Sequence, residues 1–503
     1  MSYKSFSAII GYPSILSLLF LLSSCHTTPS QNISIPAVHE VGAHMMPQEI
    51  APITGAPFDM PVFQKKIFPD VVIDISQRGA VQGELITPLI NNLIQELSAN
   101  GGGTVFIPSG KWTSGRIILK SNINLHLSED AEITFSGNVE DYLPALFTRH
   151  EGIEIMGPGG FIYANGEENI AITGKGTLWG PPMDAQIRHH SVFGTVIENI
   201  VDYRTPVEER VYDGIEGRRV YLPKSIAPIN CRGVLIEGIT LNRSVFWNIC
   251  PIYCEDVIIR GITVNSVEVA SGDGIDIESC KNVLIEYCTL NNGDDCFTIK
   301  AGRTEDGLRV GKPSENIVVR YSLAQNGHGA ITCGSETAGG IKNLYAHDCV
   351  FHKTDRGIRF KTRRNRGGGV DGVWCERIRM IDVKEAFTWD LLGSTRYVGD
   401  LALRYPPREI TPLTPVIKNI HAKQLLVESS RQFIRANCIP EIPLSDVTIE
   451  DSEIHCERYI TALNDVNGFT LRNLRVTTKD STITKEDAHN LLFENVVFLP
   501  NRK

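Results

Sequence analysis

The chain has 503 residues, 42% of them hydrophobic, and a formal net charge of −9. That composition supplies a core and argues against a general nucleic-acid binder, which needs excess Lys and Arg to neutralise phosphates. Any anionic ligand must therefore be met by a local basic patch, and length alone allows several ordinary domains or one elongated repeat domain.

Lys4 precedes an apolar stretch running through SILSLLFLLSSC, too short and too early for a good spanning helix, which predicts a signal peptide. It closes on Leu22-Ser23-Ser24-Cys25, which resembles a bacterial lipoprotein processing box with Cys25 as the lipidated mature N-terminus. The expectation is an exported bacterial lipoprotein of the periplasm or cell surface, held to the membrane only through Cys25. Residues 26–68, rich in Pro, Thr, Ser and Gln, read as a tether, which leaves 69–503 for one folded domain. A monomer is expected.

Thr87-Pro88 opens a helical stripe of Leu89, Ile90, Leu93, Ile94 and Leu97 that NGGG ends, a short helix suited to capping a solenoid. Beyond it one phrase recurs: a small residue or Asn/Asp, then aliphatic, any, aliphatic. It reads GVLI at Gly233, DVII at Asp256, NVLI at Asn282 and NIVV at Asn316, with looser copies at Asn122, Gly152, Asn169, Asn343, Asn419, Asp446, Gly468 and Asn490. The first four start 23, 26 and 34 residues apart and the last three 22 and 22 apart. Short β-branched strands at this period, with few helix signals, predict an all-β, right-handed, single-stranded parallel β-helix whose coils stack at about 4.8 Å.

Cys231, Cys254 and Cys280 each sit two residues before an anchor, and Cys288 and Cys349 six after one. Removing Cys25 leaves eleven cysteines, so they cannot all pair within the chain, and stacked free thiols acting as small hydrophobes fit the period better than disulfides. Residues 181–222 and about 384–415 interrupt the rhythm, and insertions of that length are usually functional or disordered.

Polar groups fall into the same register. Asp273 lies 17 residues after its anchor, Asp294 and His328 each 12 after theirs, and Arg359 16 after its own. Stacking should align them in one stripe. Counting back from Phe297 and Ile299 would send Asp295 into the core, and from Ile275 and Ile277 would send Asp273 there, at high cost. Gly272, Gly274 and Gly293 predict that the chain bends before the strands begin, so alternation does not reach the acids.

These residues resemble the motifs of the polygalacturonase family of pectin-degrading enzymes, glycoside hydrolase family 28. The family's Asn-Thr-Asp corresponds to Ser271-Gly272-Asp273, its Gly-Asp-Asp to Gly293-Asp294-Asp295, its Gly-His-Gly to Gly327-His328-Gly329, and its Arg-Ile-Lys to Arg359-Phe360-Lys361. Ser271 replaces the usual Asn, and Cys250 in FWNICP stands where the family often has His. The resemblance implies the same pectin-lyase-like solenoid and hydrolysis of a glycosidic bond with inversion, requiring an acid and a base roughly 6.5–9.5 Å apart. Asp294 would be the acid, its proton held by repulsion from Asp295 and Asp273. Asp273 and Asp295 would share the water, and His328 would tune the acid or bind a sugar hydroxyl.

Residues 356–366, RGIRFKTRRNR, hold six Lys or Arg and no acid. On the coil after the acids, Arg359 and Lys361 are positioned to clamp a uronate carboxylate, with Arg303 assisting. The expected substrate is a pectic polysaccharide or oligogalacturonide, cleaved from its end because the 181–222 insertion would wall off one end of the cleft. No cofactor is expected, and no metal, because the stripe's third layer is basic rather than ligating. The alternatives are a rhamnogalacturonan or xylogalacturonan hydrolase on the same scaffold, a calcium-dependent pectate lyase and a non-catalytic glycan-binding lipoprotein.

Overall fold

Every one of the anchors named above turns a corner. From Asn122 to Asn490 all twelve have positive φ, between 51° and 84°. Only Gly, Asn and Asp enter that left-handed region cheaply, which is why the recurring phrase begins with one of them. The computed structural model describes residues 34–190 and 197–500, and across them every anchor but Gly152 belongs to or heads a strand that pairs in parallel with the equivalent strand of a neighbouring coil, whereas Gly152 heads Ile153–Gly157, which pairs antiparallel with Leu146–His150. The side-chain amides reinforce the stack. Asn282 Nδ2 donates to Asp256 Oδ1 at 3.1 Å, Asn316 to Asn282 at 3.3 Å and Asn343 to Asn316 at 2.9 Å.

Inside the corners the apolar positions lie in file. Ile170, Val234, Val257, Val283, Ile317, Leu344, Val373, Ile420 and Val447 pair in succession through eight coil-to-coil registers. This is the parallel β-helix that the period implies, and all nine side chains are buried in one continuous core. Helix Thr87–Ala99 covers the first coil with Ile90, Leu93, Ile94 and Leu97, as its stripe predicts. A second short helix, Thr304–Val310, was not anticipated. The second interruption also starts later than the sequence suggested, because Val383–Asp390 is a regular strand and only 391–415 leaves the rhythm.

Residues 1–33, with the leader and Cys25, lie outside the described residues. The tether assignment needs correcting from Ile35 to Phe68, because that segment is bound along the solenoid's flank. Arg379 donates to the carbonyls of Ile35 and Pro36, Arg260 to those of Pro47, Gln48 and Glu49, and Arg320 to those of Ala51 and Pro52. Ile50, Ile53, Phe58, Met60, Phe63 and Phe68 then cover an outward-facing apolar file that includes Ala171, Leu235, Ile258, Leu284 and Val318. Composition suggested a linker because the backbone carbonyls, which any residue supplies, do the binding.

The eleven cysteines from Cys231 to Cys456 are all buried and unpaired. We expect none of these thiols to react with a polar thiol reagent in the native protein and all eleven to react after denaturation. Shortening Phe63 to Ala should cost about 3 kcal/mol of stability, the low end for a buried aromatic, because the strap can relax; denaturant unfolding measures this. A linker residue would cost nothing.

Candidate functional site

The acids sit where the chain bends before a strand. Strands Ile275–Glu278 and Phe297–Lys300 pair in register, and Asp273, Asp294 and Asp295 lie just upstream of their first residues. Strand alternation therefore does not apply to them, as the flanking glycines suggested. A Cβ at Gly293 would lie 2.0 Å from the Val269 carbonyl oxygen, so close backbone approach demands glycine there. Gly329 has a chemical reason: its Cβ would lie 2.8 Å from Asp295 Oδ1, so the residue after His328 makes room for the carboxylate.

One oxygen of each of Asp273, Asp294 and Asp295 falls within 4.8 Å of the other two. This is tighter than the roughly 6.5–9.5 Å expected of facing acid and base. The spacing follows from the fold, since two of the acids are adjacent in sequence and the third is one coil away, at the strand spacing of about 4.8 Å. His328 stacks on the next coil with its backbone N–H donating to the Asp294 carbonyl at 3.0 Å and Nδ1 3.1 Å from Asp294 Oδ1. Asp294 and His328 are the solvent-facing members, with side chains 24% and 49% exposed.

The other two acids are buried and differently treated. Asp295 accepts from Arg359 Nη1 at 2.9 Å and from Lys361 Nζ at 3.0 Å. Burial pushes its carboxyl up, but Lys361, Arg359 and Lys300 outweigh that and hold it below the ordinary carboxylate range. Asp273 is pushed well up by burial and then by Asp276 and Asp294, with Lys300 opposing. Lys300 is itself buried and surrounded by Asp273 at 3.7 Å, Asp276 at 3.6 Å and Glu336 at 3.2 Å. Burial carries Asp276 up to about 7 despite Lys300. His328 is raised by its bond to Asp294, against partial burial.

Sequence reading therefore placed the stripe but missed its floor. Lys300 and Asp276 stand in the strand phrases FTIK and IDIE, and their polarity at strand positions was the available signal. Arg359 and Lys361, expected to face substrate, both spend a donor on Asp295. Arg303 is buried among Glu151, Glu198 and Glu336 at 3.0, 2.8 and 2.5 Å. It pins the 181–222 insertion, through Glu198, to the coils, and Arg366 joins the same Glu198 at 2.5 Å. Cys250 is fully buried.

Above the acids lies a cleft of about 670 Å³. Its floor holds Asp273, Asp294, His328, Arg359 and Lys361. Met183, Arg188 and Leu222 of the first interruption wall it together with Phe246 and Trp247, and Tyr397 of the second interruption also lines it. Three residues of the first insertion therefore border the cleft.

The family model described as "Glycosyl hydrolases family 28" matches residues 215–470. A "Probable polygalacturonase" of Vitis vinifera is 28% identical over 394 residues, 75% of this chain and 72% of that protein. An "Exo-poly-alpha-D-galacturonosidase" of Dickeya chrysanthemi is 25% identical over 327 residues, 60% of this chain and 54% of that protein. A hyperthermoactive exopolygalacturonase from Thermotoga maritima, known from a crystal structure, superposes with a TM-score of 0.72 at 31% identity, covering 82% of this chain and 93% of its own.

Two pH effects follow from the ion pairs. Asp295 is lower in the folded than the unfolded chain, so its pairing stabilises fully above about pH 4 and is lost as pH falls through the folded value. Lys361→Met should raise that value and move the onset of acid unfolding, followed by circular dichroism, to higher pH. For His328 the sign reverses: the contact with Asp294 is complete below the ordinary His range and lost as pH rises through the raised folded value. His328→Gln should therefore remove that titration from the pH dependence of stability, read by denaturant unfolding across the neutral range.

Proposed function

The chain belongs to glycosyl hydrolases family 28, and from that premise we propose that it hydrolyses α-linked galacturonate bonds of pectic polysaccharide, releasing units from the chain end with inversion. The observation that carries this reading is the division of labour among three clustered carboxylates: one exposed beneath His328, one held ionised by two cations, one buried and raised.

Asp294 is the proton donor. It is the exposed carboxyl of the three, and His328, with Nδ1 3.1 Å from its Oδ1, orients it toward the glycosidic oxygen. Asp295 and Asp273 hold the attacking water. The first stays charged under Arg359 and Lys361; the second, with its raised proton affinity, is the stronger base once ionised. Neither is placed as a nucleophile. Asp295 is fully buried beneath its cations and Asp273 sits against Lys300, so each reaches a water more readily than an anomeric carbon. This supports inversion despite the short separation.

End-wise cleavage is supported by the cleft walls drawn from both interruptions and by the names of the Dickeya and Thermotoga relatives. The leader and Cys25 motif support export as a lipid-anchored protein, and loss of labelling by a radioactive fatty acid in Cys25→Ala checks the anchor.

Product analysis on polygalacturonate tests the whole reading. We expect chelator-resistant release of small saturated products from the earliest times, with the inverted anomer formed first by NMR. Unsaturated products requiring calcium would instead identify a lyase. Asp294→Asn should lower kcat by about a thousandfold or more, the upper part of the range for a general acid, and wild-type rates in that variant would remove Asp294 from the donor role.

A further inference from the structure

The six cations of the block 356–366 are not equivalent. Arg356 pairs with Asp355 at 3.4 Å and Glu385 at 3.6 Å, and Arg359 and Lys361 pair with Asp295. Arg364 pairs with Glu441 at 2.5 Å and Arg366 with Glu198 at 2.5 Å. Arg363 alone among them makes no hydrogen bond or ion pair with the described residues, although it is half-buried and lines the cleft. Its guanidinium lies 5.1 Å from the centroid of Tyr397, an aromatic ring 39% exposed that also lines the cleft. Gly393 is shaped to it: a Cβ there would lie 2.8 Å from Arg363 Nε.

A half-buried guanidinium without a counterion is costly unless something brings one. Burial, and then Arg303, push the Arg363 pKa below its ordinary value, against the partial opposition of Glu336, Glu198 and Asp390. An anion beside it would relieve that. The cleft's other uncompensated arginine is different. Arg188 spends its Nε, Nη1 and Nη2 on the carbonyls of Pro181, Pro182, Arg243 and Ser244, which leaves a charge but few donors.

We propose that Arg363, seated on Tyr397, binds a carboxylate of the polyuronate substrate, and that selectivity for the free acid over its ester resides there. The inference rests on the polygalacturonate reading of the cleft. It divides two tasks that the sequence had given to one pair of residues: Arg359 and Lys361 keep Asp295 ionised, and Arg363 reads the substrate's charge. Its planar fork suits a carboxylate bidentately, and the Tyr397 ring holds the guanidinium by a cation–π contact.

The test compares binding and turnover. In an Asp294→Asn background, calorimetry with trigalacturonate and with its fully methyl-esterified counterpart reads charge recognition without chemistry. Arg363→Gln should weaken binding of the acid by about ten- to hundredfold, the range for a hydrogen bond to a charged group, and collapse the preference for acid over ester. In the otherwise native enzyme the same substitution should appear chiefly in KM rather than kcat. Arg363→Lys, which keeps the stem and the charge without the fork, should lose about three- to tenfold on the acid alone and gives the same comparison if the Gln variant does not fold. An unchanged affinity for the acid, or equal losses on acid and ester, would overturn the assignment. Failure of the wild type to release galacturonate would overturn the hydrolase reading while leaving the acid-versus-ester binding comparison to judge Arg363 separately.

Discussion

The left-handed corner at the head of each strand is the constraint on which the remaining structure depends. A residue with φ near 55° redirects the backbone at the same point in every coil, and the Asn side chains there bond to the coil before. That ladder locks register, and register is what a parallel stack needs most, because a slip of one residue would turn every inward Ile and Val outward. With register fixed, side chains at equal distance from successive corners lie one above another whatever their chemistry.

The proposed reaction centre uses that property. Asp273, Asp294 and His328 are neighbours because their coils are neighbours, and the strand spacing, rather than any local motif, brings the carboxylates within 4.8 Å. Such crowding is tolerable only with compensation, which comes from the same stack. Arg359 and Lys361 stand two coils beyond Asp295, and Lys300 ends the strand that follows it. Gly329 keeps the space between them open for the carboxylate. The long interruptions matter for a different reason. Being released from register, they carry walls around the cleft, and buried ion pairs such as Arg303–Glu198 and Arg210–Asp306 fasten the first of them to the coils.

The amino-terminal strap shows why composition misleads. Pro- and polar-rich sequence without a period has the signature of a linker, yet Arg260, Arg320 and Arg379 hold it by its carbonyls. Backbone recognition leaves no trace in the recognised sequence. The trace lay in the solenoid instead: Leu235, Ile258, Leu284 and Val318 sit at outward strand positions, and an outward apolar file in a soluble fold implies a cover. The helix cap, by contrast, was legible because a 3.6-residue stripe has a direct geometric meaning.

The sequence by itself determined the β-helix, the period, the capping helix and the membership of Asp273, Asp294, Asp295 and His328 in one stripe, since all of these follow from local conformational preference repeated at fixed spacing. Only the tertiary structure decided what each charge does. Six cations in eleven residues are indistinguishable on paper; their partners come from distant coils and from the insertions, at Asp295, Glu385, Glu441 and Glu198. Whether a buried charge is compensated depends on contacts across tens or hundreds of residues, and no local pattern encodes those contacts. That is why Arg359 and Lys361 read alike with Arg363 in the sequence, and differ from it in the fold.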